Sequence, residues 1–154
     1  FMEFAKYLIQ KKFLPIFVLG PKEKNLERKI LNAFGKSRVF ISNDPIKTIK
    51  FSTNAKIGIS NDTGCGHLIA NSGIPLITIF GPTNSEKFRP IGNPYNKVIS
   101  SIKEYGSNDI NTIRPELLIE KFNKLIKRLD RRLKKLFFMI VIMIYKTNEN
   151  IRQT

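Results

Sequence analysis

The chain has 154 residues and a mass of 17.7 kDa, room for one compact domain with its own core but not for two. Apolar residues at 42% and charged residues at 25%, with Gly 9 and Pro 8, exclude a disordered, collagenous or repeat-built chain. Charge is the outlier: Lys+Arg 27 against Asp+Glu 12 give +15, which points to anionic partners such as nucleotide phosphates, nucleic acid or an acidic membrane surface.

In chain order, short apolar β-rich runs alternate with amphipathic stretches. Residues 2–12 and 23–34 read as helices, the second with Leu26, Ile30, Leu31 and Phe34 on one stripe. Strands are expected at 14–19, 38–41, 56–60, 75–80 and 97–100, and their near-continuous apolar character implies burial on both faces. Asp44 followed by Pro45 is a good cap and first-turn pair for a helix over 45–54, and Gly73 ends a helix over 64–72. This order predicts an α/β domain with a parallel sheet and covering helices. Residues 101–114 are polar and turn-rich and read as a linker.

The remainder reads as a separate unit, dividing the chain into 1–114 and 115–154. Residues 121–154 alone carry +8. From Pro115, apolar residues at spacings of three and four (Leu118, Phe122, Leu125, Leu129, Leu133, Leu136, Ile140, Ile144) predict one long basic helix with an apolar end and a polar tail. The run Leu136–Tyr145 is apolar on every side, yet only about half of the ~20 residues that span a bilayer. It fits a surface anchor in which 121–145 touches a membrane, or a terminal helix that packs on a neighbouring domain.

A single cysteine, Cys65, excludes an internal disulfide, and with one histidine, His67, there is no four-ligand zinc set and no metal is expected. The start, Phe1-Met2-Glu3, shows no charged segment leading into an apolar one, so no signal peptide is expected; a first residue other than Met fits a piece of a longer chain. No Gly-x-x-x-x-Gly-Lys-Ser/Thr loop occurs, which argues against a nucleoside triphosphatase.

Chemistry concentrates in Ile57–Ala70, an apolar strand running through Asp62, Thr63 and Gly64 into a helix. In an open parallel sheet this is the edge where ligands bind, and the N–H groups of a helix start beside Gly64 and Gly66 could cradle a pyrophosphate. Equally, Asp62 or Thr63 could cap the helix, Gly66 could be a packing contact and His67 a core histidine. Two more strand ends, Gly20-Pro-Lys-Glu23 and Phe80-Gly-Pro-Thr83, fall on the same edge. Glu23 there could complement a helix dipole or bind a ribose diol.

Asp62-Thr-Gly-Cys-Gly-His67, followed by Gly73-Ile-Pro75 and Phe80-Gly-Pro-Thr83, with Gly20-x-x-Glu23 upstream, resembles the C-terminal half of the glycosyltransferase family 9 heptosyltransferases. The likeness covers about residues 1–100 and, more loosely, the helix from Pro115. It implies the Rossmann-like C-terminal half of a GT-B fold, binding a nucleotide-diphosphate sugar, ADP-linked, as donor substrate rather than any cofactor. Carried over by position, Thr63 and Gly64 would bind the pyrophosphate through their backbone and Asp62 and His67 would shape the donor site. Glu23 would take the ribose, Thr83 would line the phosphate side, and Ile41 to Ile46 would fall at the adenine.

The family's acceptor-activating Asp and its donor-binding Thr and Lys have no counterpart in these residues. The resemblance therefore implies a donor half without its catalytic N-terminal domain and inactive alone, with no catalytic residue of its own. The implied reaction is inverting, metal-independent transfer of heptose or a related sugar to an anionic glycolipid acceptor of lipopolysaccharide-core type. It implies a cytoplasmic place, peripheral at the inner membrane, and no nucleic acid partner. Against it stand a basic membrane-surface module and a nucleic-acid-binding module, each with a non-catalytic α/β domain.

Overall fold

The structure is a computed structural model and describes residues 1–35, 38–130 and 139–143. Helix α1 (Met2–Gln10) leads into β1 (Leu14–Leu19), α2 (Lys24–Phe34), β2 (Val39–Ile41), α3 (Pro45–Ser52), β3 (Ile57–Asn61), α4 (Gly64–Asn71) and β4 (Leu76–Phe80). Then follow α5 (Ser85–Phe88), β5 (Lys97–Ser100), α6 (Ser101–Tyr105), a short 3-10 helix (Ile110–Thr112), α7 (Pro115–Asp130) and β6 (Met139–Met143). All pairings are parallel, in the order β2-β1-β6-β3-β4-β5.

Local sequence explains the elements. The Asp44 carboxylate accepts from Ile46 N–H and Lys47 N–H at 2.9 and 3.3 Å and Pro45 opens α3, as its cap pattern predicts. Beyond α4, Gly73 takes φ 78°, a turn that a residue with a Cβ resists. Strand β4 is buried along its whole length, consistent with helices on both faces of the sheet.

Helices α1, α2 and α7 cover one face, where Phe17, Ile59, Ile77, Ile140 and Ile142 meet Phe4, Ile30 and Phe122. Phe122 stands edge-on to both Phe4 and Phe13, with centroids 5.4 and 5.3 Å apart, a favoured aromatic geometry. The Tyr7 hydroxyl donates to Asn123 Oδ1 at 2.8 Å and fastens α1 to α7. On the other face, Ile69, Ala70 and Cys65 of α4 pack on Val18 and Leu76.

Two expectations are corrected. The described parts of 115–154 do not stand apart as a separate unit, because α7 supplies Leu118, Phe122 and Leu125 to the main core and Met139–Met143 supplies Ile140 and Ile142. Nor does one helix run on to Ile144: α7 ends at Asp130, and Met139–Met143 is a strand hydrogen-bonded to β1 on one side and β3 on the other. Ile140 and Ile142 are fully buried there, so these residues are core rather than a surface anchor. A run that is apolar on both faces suits the middle of a parallel sheet, where helices shield each side. Residues 131–138 and 144–154, the rest of the expected helix and its polar tail, lie outside the described residues.

In the doubly wound pattern the first strand stands at the centre, with the second and third to one side and the fourth to sixth to the other. Here β6, late in sequence, holds that central place, and α1 packs where the helix after a first strand would lie.

Candidate functional site

Because every strand is parallel, β1 to β4 all end at one edge, and each ending is a short turn into a helix. The sheet's centre lies between β1 and β3, so Glu23 after β1 and Asp62 after β3 flank the point where the winding reverses, the usual ligand crevice of such sheets.

At the start of α4, Thr63 is the cap residue with extended backbone, but its side chain accepts nothing from the helix. Its hydroxyl instead makes a long 3.5 Å contact to the Asn61 carbonyl. Asp62 is held by its own N–H, which donates to the Ile79 carbonyl at 2.8 Å and ties the turn to β4. The Thr63 side chain therefore does not cap α4, and the positive end of the helix dipole lies beside exposed Gly64. A Cβ built on Gly64 meets nothing within 4 Å.

Gly66 behaves differently. A Cβ there would fall 2.7 Å from Ser60 Oγ, so this glycine serves the packing of α4 against β3 and not a ligand. His67 is exposed rather than a core histidine.

Two cavities open on either side of the α4 start. One, of about 230 Å3, is lined by Val18 and Leu19 of β1, by Ser42, Asp44 and Thr48 around the start of α3, and by Cys65 and Leu68 of α4. The stretch expected at the adenine thus contributes Ser42 to Pro45, while the side chains of Ile41 and Ile46 point to solvent. The other, of about 330 Å3, is lined by Asp62, Gly81, Pro82 and Thr83 together with Asn108 to Asn111. Asp62 and Thr83 are therefore brought to one cavity; Thr63 and Gly64 sit between the two.

Glu23 caps α2 by position only. Its side chain accepts no N–H from that helix, and its Oε2 is buried without a hydrogen-bond partner. A carboxylate oxygen withdrawn from water and left unpaired is costly, and Glu23 lines neither of the two cavities.

Residues 101–114 are not a linker. They form α6 and a capped loop in which Asp109 accepts from Asn111 N–H at 2.9 Å, and Ile110 lies against Gly81, 3.2 Å from where a Cβ would stand. Asn108, Asp109 and Asn111 were missed as site residues; the Ser-Asn-Asp sequence, a turn-capping signal, was the clue that could have found them.

Parallel strands, helices on both faces and a crevice at the central turn define a Rossmann-like α/β domain. Residues 46–117 match the family described as Glycosyltransferase family 9 (heptosyltransferase), so the family resemblance read from the motifs is borne out. Two solved structures share the fold. The glycosyl transferase family 9 protein from Veillonella parvula DSM 2008 has a TM-score of 0.70 and 18% identity, over 82% of this chain and 40% of its own. The E. coli ADP-heptose lps heptosyltransferase II has a TM-score of 0.68 and 20% identity, over 84% of this chain and 41% of its own. The chain thus spans about two fifths of the length of either. Among curated protein sequences none matches it. No described helix is long and apolar enough to cross a membrane.

Proposed function

We propose that this chain is the donor-binding half of an inverting glycosyltransferase that moves heptose, or a related sugar, from an ADP-sugar to an anionic glycolipid acceptor. The observation that carries the reading is the uncapped start of α4 between two cavities on the ligand edge of a parallel sheet. The base enters the smaller cavity, the diphosphate lies against Thr63 and Gly64, the ribose hydroxyls reach the Glu23 carboxylate, and the sugar extends toward Asp62 and Thr83. His67, one turn into α4, borders the diphosphate.

The chemistry follows from where charge develops. As the anomeric bond breaks, negative charge grows on the diphosphate, and backbone N–H groups already oriented at the α4 start stabilise it without rearrangement. That stabilisation asks for no metal. The carboxylate that deprotonates the acceptor hydroxyl is assigned to no residue of this chain.

Calorimetric titration with ADP and with UDP tests the reading. Saturable binding with ADP preferred, and at least about tenfold weaker for Glu23→Gln, supports it, since a hydrogen bond to a charged group is worth that much. Equal, non-saturating heats for both nucleotides would overturn it.

A further inference from the structure

The charge of +15 is not where the nucleotide edge would need it. The connections at that edge (20–23, 42–44, 62–63, 81–84 and 106–114) hold four carboxylates, Glu23, Asp44, Asp62 and Asp109, against two cations, Lys22 and Arg114. The described residues of the connections leading into β1 to β5 at the opposite edge hold five Lys or Arg (Lys11, Lys12, Arg38, Lys56 and Arg89) and no Asp or Glu. The end of α7 adds exposed Lys127 and Arg128 and one carboxylate, Asp130, and Arg128 lies over the Tyr95 ring, 5.9 Å from its centroid, which ties α7 to the connection before β5.

The same edge carries an apolar prong. Ile91 is 81% exposed, between Arg89 and Lys97 in sequence and at the rim of an open groove of about 630 Å3. Its loop is held in place: Asn93 Nδ2 donates to the Gly73 carbonyl at 2.7 Å, Leu76 N–H donates to Asn96 Oδ1 at 3.0 Å, and Asn96 Nδ2 donates to the Pro90 carbonyl at 3.3 Å. A large aliphatic side chain is thus presented to water by a pinned loop instead of folding onto the core.

We infer that the edge opposite the candidate site, centred on Lys11, Lys127, Arg128 and Ile91, docks on an anionic lipid surface. Cations that outnumber the carboxylates around them are drawn to phosphate headgroups, and an aliphatic tip enters the boundary between headgroup and acyl chain. The aliphatic prong favours lipid over nucleic acid, whose bases are gripped by aromatic rings and hydrogen-bonding side chains. The inference stands apart from nucleotide binding, which uses the other edge.

Flotation of the full chain with vesicles tests it. Binding is expected to vesicles in which about a third of the lipid is phosphatidylglycerol and not to pure phosphatidylcholine, with release at high salt. Lys11→Glu combined with Lys127→Glu should weaken binding at least about tenfold. Ile91→Ser should weaken it at least about threefold, while Lys22→Glu combined with Arg114→Glu, on the opposite edge, should leave it within about twofold. Equal binding to neutral vesicles, no effect of Ile91→Ser, or an equal loss from the opposite-edge pair would each overturn the inference. So would retention on single-stranded RNA without vesicle binding, which would give the edge to nucleic acid.

Discussion

The two edges of the sheet are built from the same alternation of strands and helices, yet they differ in charge and in shape. Where β1 to β4 end, the turns are acidic and neutral, two cavities flank an uncapped helix start, and a buried Glu23 oxygen lacks a partner. Where β1 to β5 begin, the connections are cationic and an isoleucine stands in water. Net charge therefore says little about the candidate-site edge, where the α4 dipole supplies the positive end, whereas lysines and arginines supply it at the other edge.

The largest effect is expected from the strand that joins both edges. Ile142→Ala removes buried methyls between β1 and β3 and should cost about 2–5 kcal/mol in urea unfolding, because a central site relaxes poorly. Val98→Ala in the edge strand β5, where the side chain is only half-buried, should cost less than about 1.5 kcal/mol. Similar losses at both positions would contradict a central β6.

Gly66→Ala probes the packing of α4 on β3 at the candidate-site edge. The added Cβ meets Ser60 Oγ, a buried hydroxyl with no partner, and should cost about 1–3 kcal/mol of stability by overpacking. Ser60→Ala removes the obstacle at little cost by itself, so the double variant should recover most of the loss in thermal unfolding. Gly64→Ala, facing open space, should stay within about 0.5 kcal/mol of the parent.

The smallest expected effect is a titration. Glu86 of α5 is hydrogen-bonded to Lys103 of α6, and that bond, with the charge of Lys103 and Arg89, holds its carboxyl below the usual glutamate range. A lowered folded value means the pair's contribution is complete above the unfolded glutamate range and fades as pH falls through the folded value. Carboxyl NMR should show the low midpoint, and Lys103→Ala should return it toward the ordinary value. The side chains are exposed, so overall stability should barely change.

What the sequence made legible were the features written in short-range chemistry. The Asp44-Pro45 cap, the Gly73 stop and the Asp62–Gly64 turn each rest on neighbours within a few residues, and each stands in the structure where its pattern put it. Met139–Met143 was read as helix because Leu118, Phe122, Leu125 and Leu129 set a rhythm that Leu133, Leu136 and Ile140 continue. Inside a run apolar at every position, however, periodicity carries no information and a helix and a buried strand look alike. The β-branched Ile140, Val141 and Ile142 were the available counter-signal. The placing of Asn108 to Asn111 is hidden for another reason: β5 ends at the same edge as β4, and the chain after α6 lies against Gly81 through contacts that no local pattern encodes.

The most direct test of the central claim is an amide NMR titration of the chain with ADP. Saturable shifts confined to Glu23, Thr63, Gly64 and Thr83, with Lys11, Ile91 and Lys97 unmoved, are the expected result. Shifts that follow the cationic residues of the opposite edge, or none that saturate, would contradict it and leave the α4 turn as a structural start of a helix.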